Sequence, residues 1–188
     1  MPGFNPNEPR DKLGKWTDSG ISSAIQKKID KSISLEQNTI DYGTDIKINI
    51  LKTLQWGKEN NIPMITTKTN PDILARTDID TNIMEINSGS DFWKDPVRNM
   101  QKAFEQGQFS TENPLHIIVH ETAHMKFKGL PYSWNGIEDK KIAGEVSLYA
   151  KDSPDEFIAE TFTGLKFGKK YSYNVLSLYN KLVQKKYN

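Results

Sequence analysis

The sequence predicts an α+β fold, on three observations. Segments with the apolar spacing of a helix come first, a region of alternating apolar and polar residues follows, and helical spacing then returns. With 188 residues the chain suits one compact domain. We divide it into a flexible N-terminal arm over residues 1–19, rich in Pro, Gly and charge, and a single domain over residues 20–188.

Two helices are predicted at the start of the domain. Residues 21–33 carry apolar side chains at helical spacing, and Ser19 is a possible cap. Residues 45–60 form the second helix, although the beginning of this segment also alternates as a strand would. The core-facing residues of the second helix are predicted to be Ile50, Leu51 and Leu54.

The middle of the chain is predicted to contain strands. Residues 62–67 form one, and residues 73–87 contain two alternating runs on either side of the polar turn Asp80-Thr81-Asn82. This pattern indicates a β-hairpin whose second strand covers residues 83–87. Residues 92–106 then return to helical spacing, and Gly107 follows as a stop.

Composition excludes several classes of partner and site. Lys plus Arg is 25 against Asp plus Glu 24, a net charge of +1, which argues against a nucleic-acid partner. Because there is no cysteine, any zinc must be held by His, Asp and Glu. No window approaches the roughly 20 apolar residues of a membrane span, so no membrane partner is expected. The N-terminus lacks an apolar run of signal-peptide length, and export by another route stays open.

A further helix is predicted to begin at Asn113-Pro114, because Asn can cap free N–H groups and Pro fits the first turn. Gly129 and Pro131 are its predicted end. At about 100° per residue, one side of this helix would be buried and the other side would carry two histidines. The buried side is predicted to comprise Leu115, Ile118 and Met125.

The two histidines, His120 and His124, stand four positions apart with Glu121 directly after the first, the spacing H-E-x-x-H. A rise of about 6 Å separates them, which two imidazoles can close onto one ion. Zinc held by three protein ligands keeps a fourth position for water and lowers the pKa of that water towards about 7. Glu121 would then accept the proton of the water as a general base. A lone histidine here would instead suggest an ordinary hydrogen-bonded core residue.

His116 also lies four positions from His120. One ion cannot take all three histidines, because residues 116 and 124 are about 12 Å apart along a straight helix. We favour the pair with His124, since Ile117 occupies the position where the other pair would need its general base. His116 is then predicted to lie in the first turn of the helix or behind the ligands.

A third ligand is expected downstream, where Ser153-Pro154 should start a helix. Glu156 and Glu160 are four apart on it, so both carboxylates face one way. The spacing leaves open which of them would bind a metal ion and which would support a ligand histidine. It also leaves open a capping box, in which Glu156 reaches back to the backbone at Ser153.

H-E-T-A-H followed by Y-A-K-D-S-P-D-E-F-I-A-E resembles the catalytic domain of the anthrax-toxin lethal factor family, which the bacterial Pro-Pro endopeptidases also resemble. These are zinc metalloproteases of the gluzincin kind, and the match covers about residues 81–165. The resemblance implies a zincin-like fold, with a small sheet whose edge strand packs on the active-site helices. It also implies one zinc ion per chain, bound by His120, His124 and Glu156.

The same resemblance implies roles for three more residues. Glu121 would be the general base, Tyr149 would donate to the oxyanion of the tetrahedral intermediate, and Glu160 would lie behind the ligands. By analogy with zincins, residues 82–90 are the candidate edge on which an extended peptide would lie, and an ordinary hairpin strand is the alternative. The family usually has Gly where this chain has Ala123.

The first residues, F-N-P-N-E-P-R-D-K-L-G-K-W, are similar to short stretches in phage head and portal-associated proteins, some of which carry HExxH domains. This similarity implies a phage or prophage origin, with the protein in a bacterial cell or in the virion. The sequence thus predicts a zinc-dependent endopeptidase acting on a protein or peptide. The alternative is a phage morphogenesis or virion-associated protein, with phage structural proteins as partners, whose zinc domain is structural or a binding module.

Overall fold

The computed structural model describes residues 40–128, 134 and 136–184. The predicted arm over residues 1–19, the predicted helix over residues 21–33, and Gly129 and Pro131 lie outside this part of the chain. The described part contains six α-helices and a three-stranded sheet, which confirms the α+β class.

The α-helices are α1 (Ile46–Glu59), α2 (Pro96–Glu105), α3 (His116–Phe127), α4 (Ile137–Ala143), α5 (Pro154–Lys166) and α6 (Tyr173–Gln184). The strands are β1 (Met64–Thr67), β2 (Ala75–Asp78) and β3 (Ile83–Asn87). Two short 3₁₀ helices, Asp91–Lys94 and Tyr149–Lys151, precede α2 and α5. None of the helices in these described segments is long and apolar enough to cross a membrane.

Local capping explains where α1 and α2 begin. The Asp45 carboxylate accepts hydrogen bonds from two backbone N–H groups of the first turn of α1, which confirms the predicted helix. The predicted helix over residues 92–106 is divided, because Asp95 adopts a non-helical conformation and caps a new helix that starts at Pro96. Gly107 follows its end with φ 72°, a left-handed conformation that glycine adopts without strain.

The buried face of α1 differs from the prediction. Ile50 is buried as expected, but Leu51 is 64% exposed. The Asn49 side chain is fully buried and donates to the carbonyl of Trp93 at 2.8 Å and to that of Gly43 at 2.7 Å. These polar contacts turn the Asn49 side of the helix inwards, and Leu51 faces away from the core.

The sheet has the strand order β1-β3-β2, with β1 parallel and β2 antiparallel to β3. The predicted hairpin is therefore confirmed, and Asn82 in its turn has φ 57°. The prediction that residues 82–90 form a free edge is wrong, because β3 has a strand on each side. β2 is the edge strand that packs against α3.

Helix α3 lies between two clusters of buried side chains. Val119, Ala123 and Phe127 belong to one cluster with α5 and α6, while Ile117 and Ile118 belong to a second cluster with α1 and the sheet. The helix is consequently buried on both sides, and the prediction of a single buried face is wrong. All the polar groups that α3 carries inwards therefore need partners.

Close packing of α5 yields a first prediction. A Cβ added at Gly164 would overlap the Tyr171 hydroxyl group. Although alanine is the better helix former, we expect Gly164→Ala to lower the free energy of unfolding by about 1–2 kcal/mol, because overpacking outweighs propensity. Denaturant unfolding measures this change.

The matched control is the same substitution in a Tyr171→Leu background, where the hydroxyl is gone. Gly164→Ala should then be neutral or stabilising. An equal loss in both backgrounds would contradict the packing explanation.

Candidate metal centre

The candidate site lies where α3 and α5 pack side by side. Helix α5 begins at Ser153, whose hydroxyl accepts a hydrogen bond from the Glu156 N–H at 3.1 Å. This is one half of the capping box considered above. The Glu156 carboxylate turns instead towards α3, where its Oε2 lies 2.9 Å from His120 Nε2.

Three potential ligand atoms converge at this point. His124 Nε2 lies 3.1 Å from His120 Nε2 and 3.4 Å from Glu156 Oε2. Ligand atoms of a tetrahedral ion with bonds of about 2.0–2.1 Å are about 3.3 Å apart. The triangle of atoms therefore has the size of one face of such a coordination sphere, and these residues fit a small metal ion.

Both histidines are oriented from behind by carboxylates. His120 Nδ1 lies 2.8 Å from Glu160 Oε1, and His124 Nδ1 lies 3.0 Å from Asp155 Oδ2. An Nδ1–H that donates to a carboxylate leaves the lone pair of Nε2 free, and in both rings Nε2 is the atom that faces the triangle. Asp155 was not predicted as part of the site, and its only signal in the sequence is its place beside Glu156.

Glu160 lies deepest in the site, and its side chain is 0% exposed. Its Oε1 accepts from His120 Nδ1 and from His116 Nε2, the latter at 2.7 Å. Its Oε2 accepts from the Ser110 N–H at 2.7 Å. His116 is the first residue of α3, which confirms the prediction of a first-turn position, and its hydrogen-bond partner is Glu160.

Besides the triangle with Glu156, two other groups of side chains lie close enough to hold a metal ion, and both contain His120. The inner group, which is fully buried, consists of His116, His120 and Glu160. The outer group consists of His120, Glu121 and His124. In the inner group, His116 Nε2 and His120 Nδ1 both lie within hydrogen-bond distance of one oxygen of Glu160, which is the geometry of two N–H donors. In the outer group, the Nε2 atoms of His120 and His124 face each other and Glu156.

The electrostatics of the cluster favour a bound cation. Burial opposes charge on His120, but hydrogen bonds to Glu156 and Glu160 outweigh it and raise the pKa of His120 well above its ordinary value. Burial likewise opposes the charge on His124, yet Asp155 and Glu156 raise its pKa to about 9. Burial alone would raise the pKa of Glu156, but hydrogen bonds from both histidines lower it to about 2. A metal ion would have to displace the protons that the histidines hold.

Glu121 lies beside this triangle and is 9% exposed. Thr77 Oγ1 on β2 lies 2.9 Å from Glu121 Oε2 and equally close to the backbone carbonyl of Glu121. Thr77 therefore holds the carboxylate side chain near the edge of the sheet. Thr77 could not be predicted from the sequence, because only the folded chain brings β2 against α3.

Tyr149 covers the other side of the cluster. Its ring stacks on His120 with centroids 5.6 Å apart, and it lies perpendicular to the Phe109 ring with centroids 5.8 Å apart. Burial, followed by the nearby carboxylates of Glu156 and Glu121, raises the pKa of Tyr149 far above its ordinary value. The phenol is thus an uncharged hydrogen-bond donor across the neutral pH range.

A cavity of about 330 Å³ adjoins these groups. His120, Glu121 and Tyr149 form its polar wall. The rest of its lining is mostly apolar, and consists of Asp72, Ile73, Leu74, Ala75, Ala103, Gln108, Phe109 and Ile117. The cavity is large enough for one amino-acid side chain.

Comparison of the chain with protein-family models, with curated proteins and with solved structures finds no match. The resemblance to the lethal factor family therefore stays a prediction, as do the roles that it implies. The predicted residues do lie together: His120, His124 and Glu156 form the triangle, Glu121 and Tyr149 flank it, and Glu160 lies behind it.

The pKa shifts predict how stability depends on pH in the metal-free protein. The pKa of His124 is raised from 6.5 to about 9, so its stabilisation is complete below pH 6.5 and is lost as pH rises towards 9. The pKa of Glu156 is lowered from 4.5 to about 2, so its stabilisation is present above pH 4.5 and is lost as pH falls towards 2. We therefore expect the cluster to stabilise the fold most between pH 4.5 and pH 6.5, where both contributions are complete.

Denaturant unfolding across this pH range, with a chelator present, measures the effect. His124→Gln should flatten the alkaline decline, because the titrating group is gone. A stability that is constant from pH 6.5 to 9 in the parent protein would contradict the predicted shift.

Proposed function

We propose that this protein is a zinc-dependent endopeptidase with a zincin-like fold. The observation that carries the proposal is the convergence of His120 Nε2, His124 Nε2 and Glu156 Oε2 within 3.4 Å of one another. Each histidine is oriented by a carboxylate behind it, and a buried carboxylate and a phenol flank the open side. This is the set of groups that metal-assisted hydrolysis of an amide requires.

The donor set supports zinc in particular. Two imidazole nitrogens and one carboxylate oxygen suit a borderline-soft ion that accepts tetrahedral geometry and keeps one position for water. Calcium and magnesium prefer sites made of oxygen ligands only, and two nitrogen donors are unfavourable for them. His120, His124 and Glu156 would hold the ion.

Bound zinc would lower the pKa of its water and polarise the scissile carbonyl group. The chain's own groups would do the rest. Glu121, held by Thr77, would accept the proton of the water and deliver it to the leaving amine. Tyr149 would donate its hydroxyl hydrogen to the oxygen that becomes negatively charged, and its high pKa keeps that hydrogen in place.

The substrate would lie along β2. The Leu74 carbonyl accepts from the Asn87 N–H, and Arg76 lies opposite Glu85 in the same register. In an antiparallel pair the hydrogen-bonding residues alternate, so the backbone groups of Ala75 and Thr77 point away from β3. An extended peptide could pair with them, with one side chain in the adjoining apolar cavity.

The substitution Glu121→Gln separates zinc binding from catalysis. The amide can keep the hydrogen bond with Thr77 but cannot accept a proton from water. We expect one zinc ion per chain in both proteins and loss of peptide cleavage in the variant. Metal analysis and mass spectrometry of a digested peptide library are the measurements.

Two outcomes would sink the proposal. One is a Glu121→Gln variant that cleaves as fast as the parent. The other is a folded, zinc-loaded parent that cleaves no peptide in the library, which would favour a virion or morphogenesis protein with a structural zinc domain.

A second substitution, Tyr149→Phe, tests the oxyanion donor. The ring should keep its stacking on His120 and its contact with Phe109. Because the lost hydrogen bond forms only as charge develops, we expect kcat to fall roughly 10²–10³-fold with little change in KM. A fall confined to KM would show instead that the hydroxyl binds the ground state.

A further inference from the structure

His116 has no role in the chemistry derived above, yet it is one of the most deeply buried polar residues described. Its Nε2 lies 2.7 Å from Glu160 Oε1, and neither side chain is exposed at all. A buried imidazole with a single polar partner needs a reason, since burial of polar groups costs free energy unless hydrogen bonds replace the lost water.

We propose that His116 is a positioning residue for the metal centre, which fixes the Glu160 carboxylate and through it the orientation of the ligand His120. The proposal rests on the proposed function insofar as His120 binds metal through Nε2. It assigns to His116 a task that neither the HExxH spacing nor the downstream glutamates imply.

The His116 ring can hydrogen-bond to Glu160 in one direction only. His116 Nδ1 is buried without a hydrogen-bond partner among the described residues, while Nε2 faces the carboxylate. The hydrogen of this ring is therefore on Nε2, since a buried N–H without an acceptor would be unfavourable. His116 can then only donate to Glu160.

His116 and His120 share one oxygen of Glu160. Oε1 of Glu160 receives both His116 Nε2 and His120 Nδ1, at 2.7 and 2.8 Å. The two rings lie on successive turns of α3, with centroids 5.8 Å apart and planes 29° from parallel. Oε2 is held separately by the Ser110 N–H. With His116 in place the carboxylate has one orientation, in which His120 must present Nδ1–H to it and Nε2 to the metal.

A change at residue 116 would loosen the Glu160 carboxylate. Without the His116 donor, one of the three N–H groups that hold the carboxylate is missing. The Glu160 carboxylate can then tilt, and the His120 ring loses the fixed acceptor that selects its orientation. The expected effect is weaker metal binding without any change in the ligand set.

The experiment compares variants that fill the same space with and without a donor. His116→Phe keeps a flat ring next to Phe109, whose ring centroid is 4.8 Å from that of His116. His116→Gln keeps an N–H donor. His116→Leu is a second variant without a donor, should the phenylalanine variant not fold. Ile118→Val, a fully buried change on the same helix, is the matched control for packing.

Zinc dissociation constants are measured by competition with a chromophoric chelator, and the visible spectrum of the cobalt-substituted protein reports ligand geometry. We expect the donor-less variants to bind zinc about 10–100-fold more weakly and to show an altered cobalt spectrum. His116→Gln should recover most of the loss. Ile118→Val should lower the Tm of the metal-free protein and leave the zinc dissociation constant unchanged.

A double-mutant cycle shows whether His116 acts through Glu160. In a Glu160→Leu background, which removes the shared acceptor, His116→Phe should weaken zinc binding no further. An undiminished effect of His116→Phe in that background would overturn the proposal. Donor-less variants that bind zinc as tightly as the parent would also overturn it. So would a His116→Gln variant that binds zinc no more tightly than His116→Phe. Two zinc ions per parent chain would also overturn it, because the inner group would then be a metal site itself.

These results distinguish failure of the positioning role of His116 from failure of the proposed function. If the parent binds one zinc ion and cleaves peptides, and His116→Phe does both equally well, only the positioning role is ruled out. A parent that binds no zinc removes the proposed function, and the positioning role falls with it.

Discussion

The buried carboxylate of Glu160 is the interaction on which the rest of this site depends. It lies in the interior with three N–H donors, which come from the segment before α3 at Ser110 and from two turns of α3 itself. A buried carboxylate with a missing partner destabilises a fold by about 3–5 kcal/mol. The need to satisfy this one group therefore sets the position of α5 relative to α3 and to the segment that precedes it.

The position of α3 between two apolar clusters gives that arrangement its rigidity. Val119 and Ala123 pack towards α5 and α6, and Ile118 packs towards the sheet. Ala123 is 0% exposed, which indicates that a small side chain is needed where the helices approach. Because the helix is enclosed, its histidines meet only protein groups on most sides, and their acceptors have to come from α5.

Much of this could be predicted from local sequence. The helix start at Ser153-Pro154 follows from capping chemistry, and the hairpin follows from alternation around a polar turn. The pairing of His120 with His124 follows from helical spacing, because residues four apart on a helix face the same way, whereas spacing alone left Glu156 and Glu160 as equal candidates for the third position. Such relations depend on one element only.

The rest depends on how elements meet. The single buried face assumed for α3 was wrong because periodicity cannot reveal a second partner on the opposite side. The edge position assumed for residues 82–90 was wrong because strand order is a property of the whole sheet. Three residues of the site could not be predicted, because each contacts a residue of another element at a distance along the chain that no local pattern encodes. They are Asp155, Thr77 and Ser110.

The hydrogen bond between Thr77 and Glu121 also couples the movements of β2 and α3. Thr77 belongs to the strand that would hold a peptide, and Glu121 to the helix that would carry out the chemistry. A displacement of β2 that breaks its contact with α3 therefore releases the carboxylate at the same moment. Loss of substrate alignment and loss of the proton acceptor would in that case be a single event.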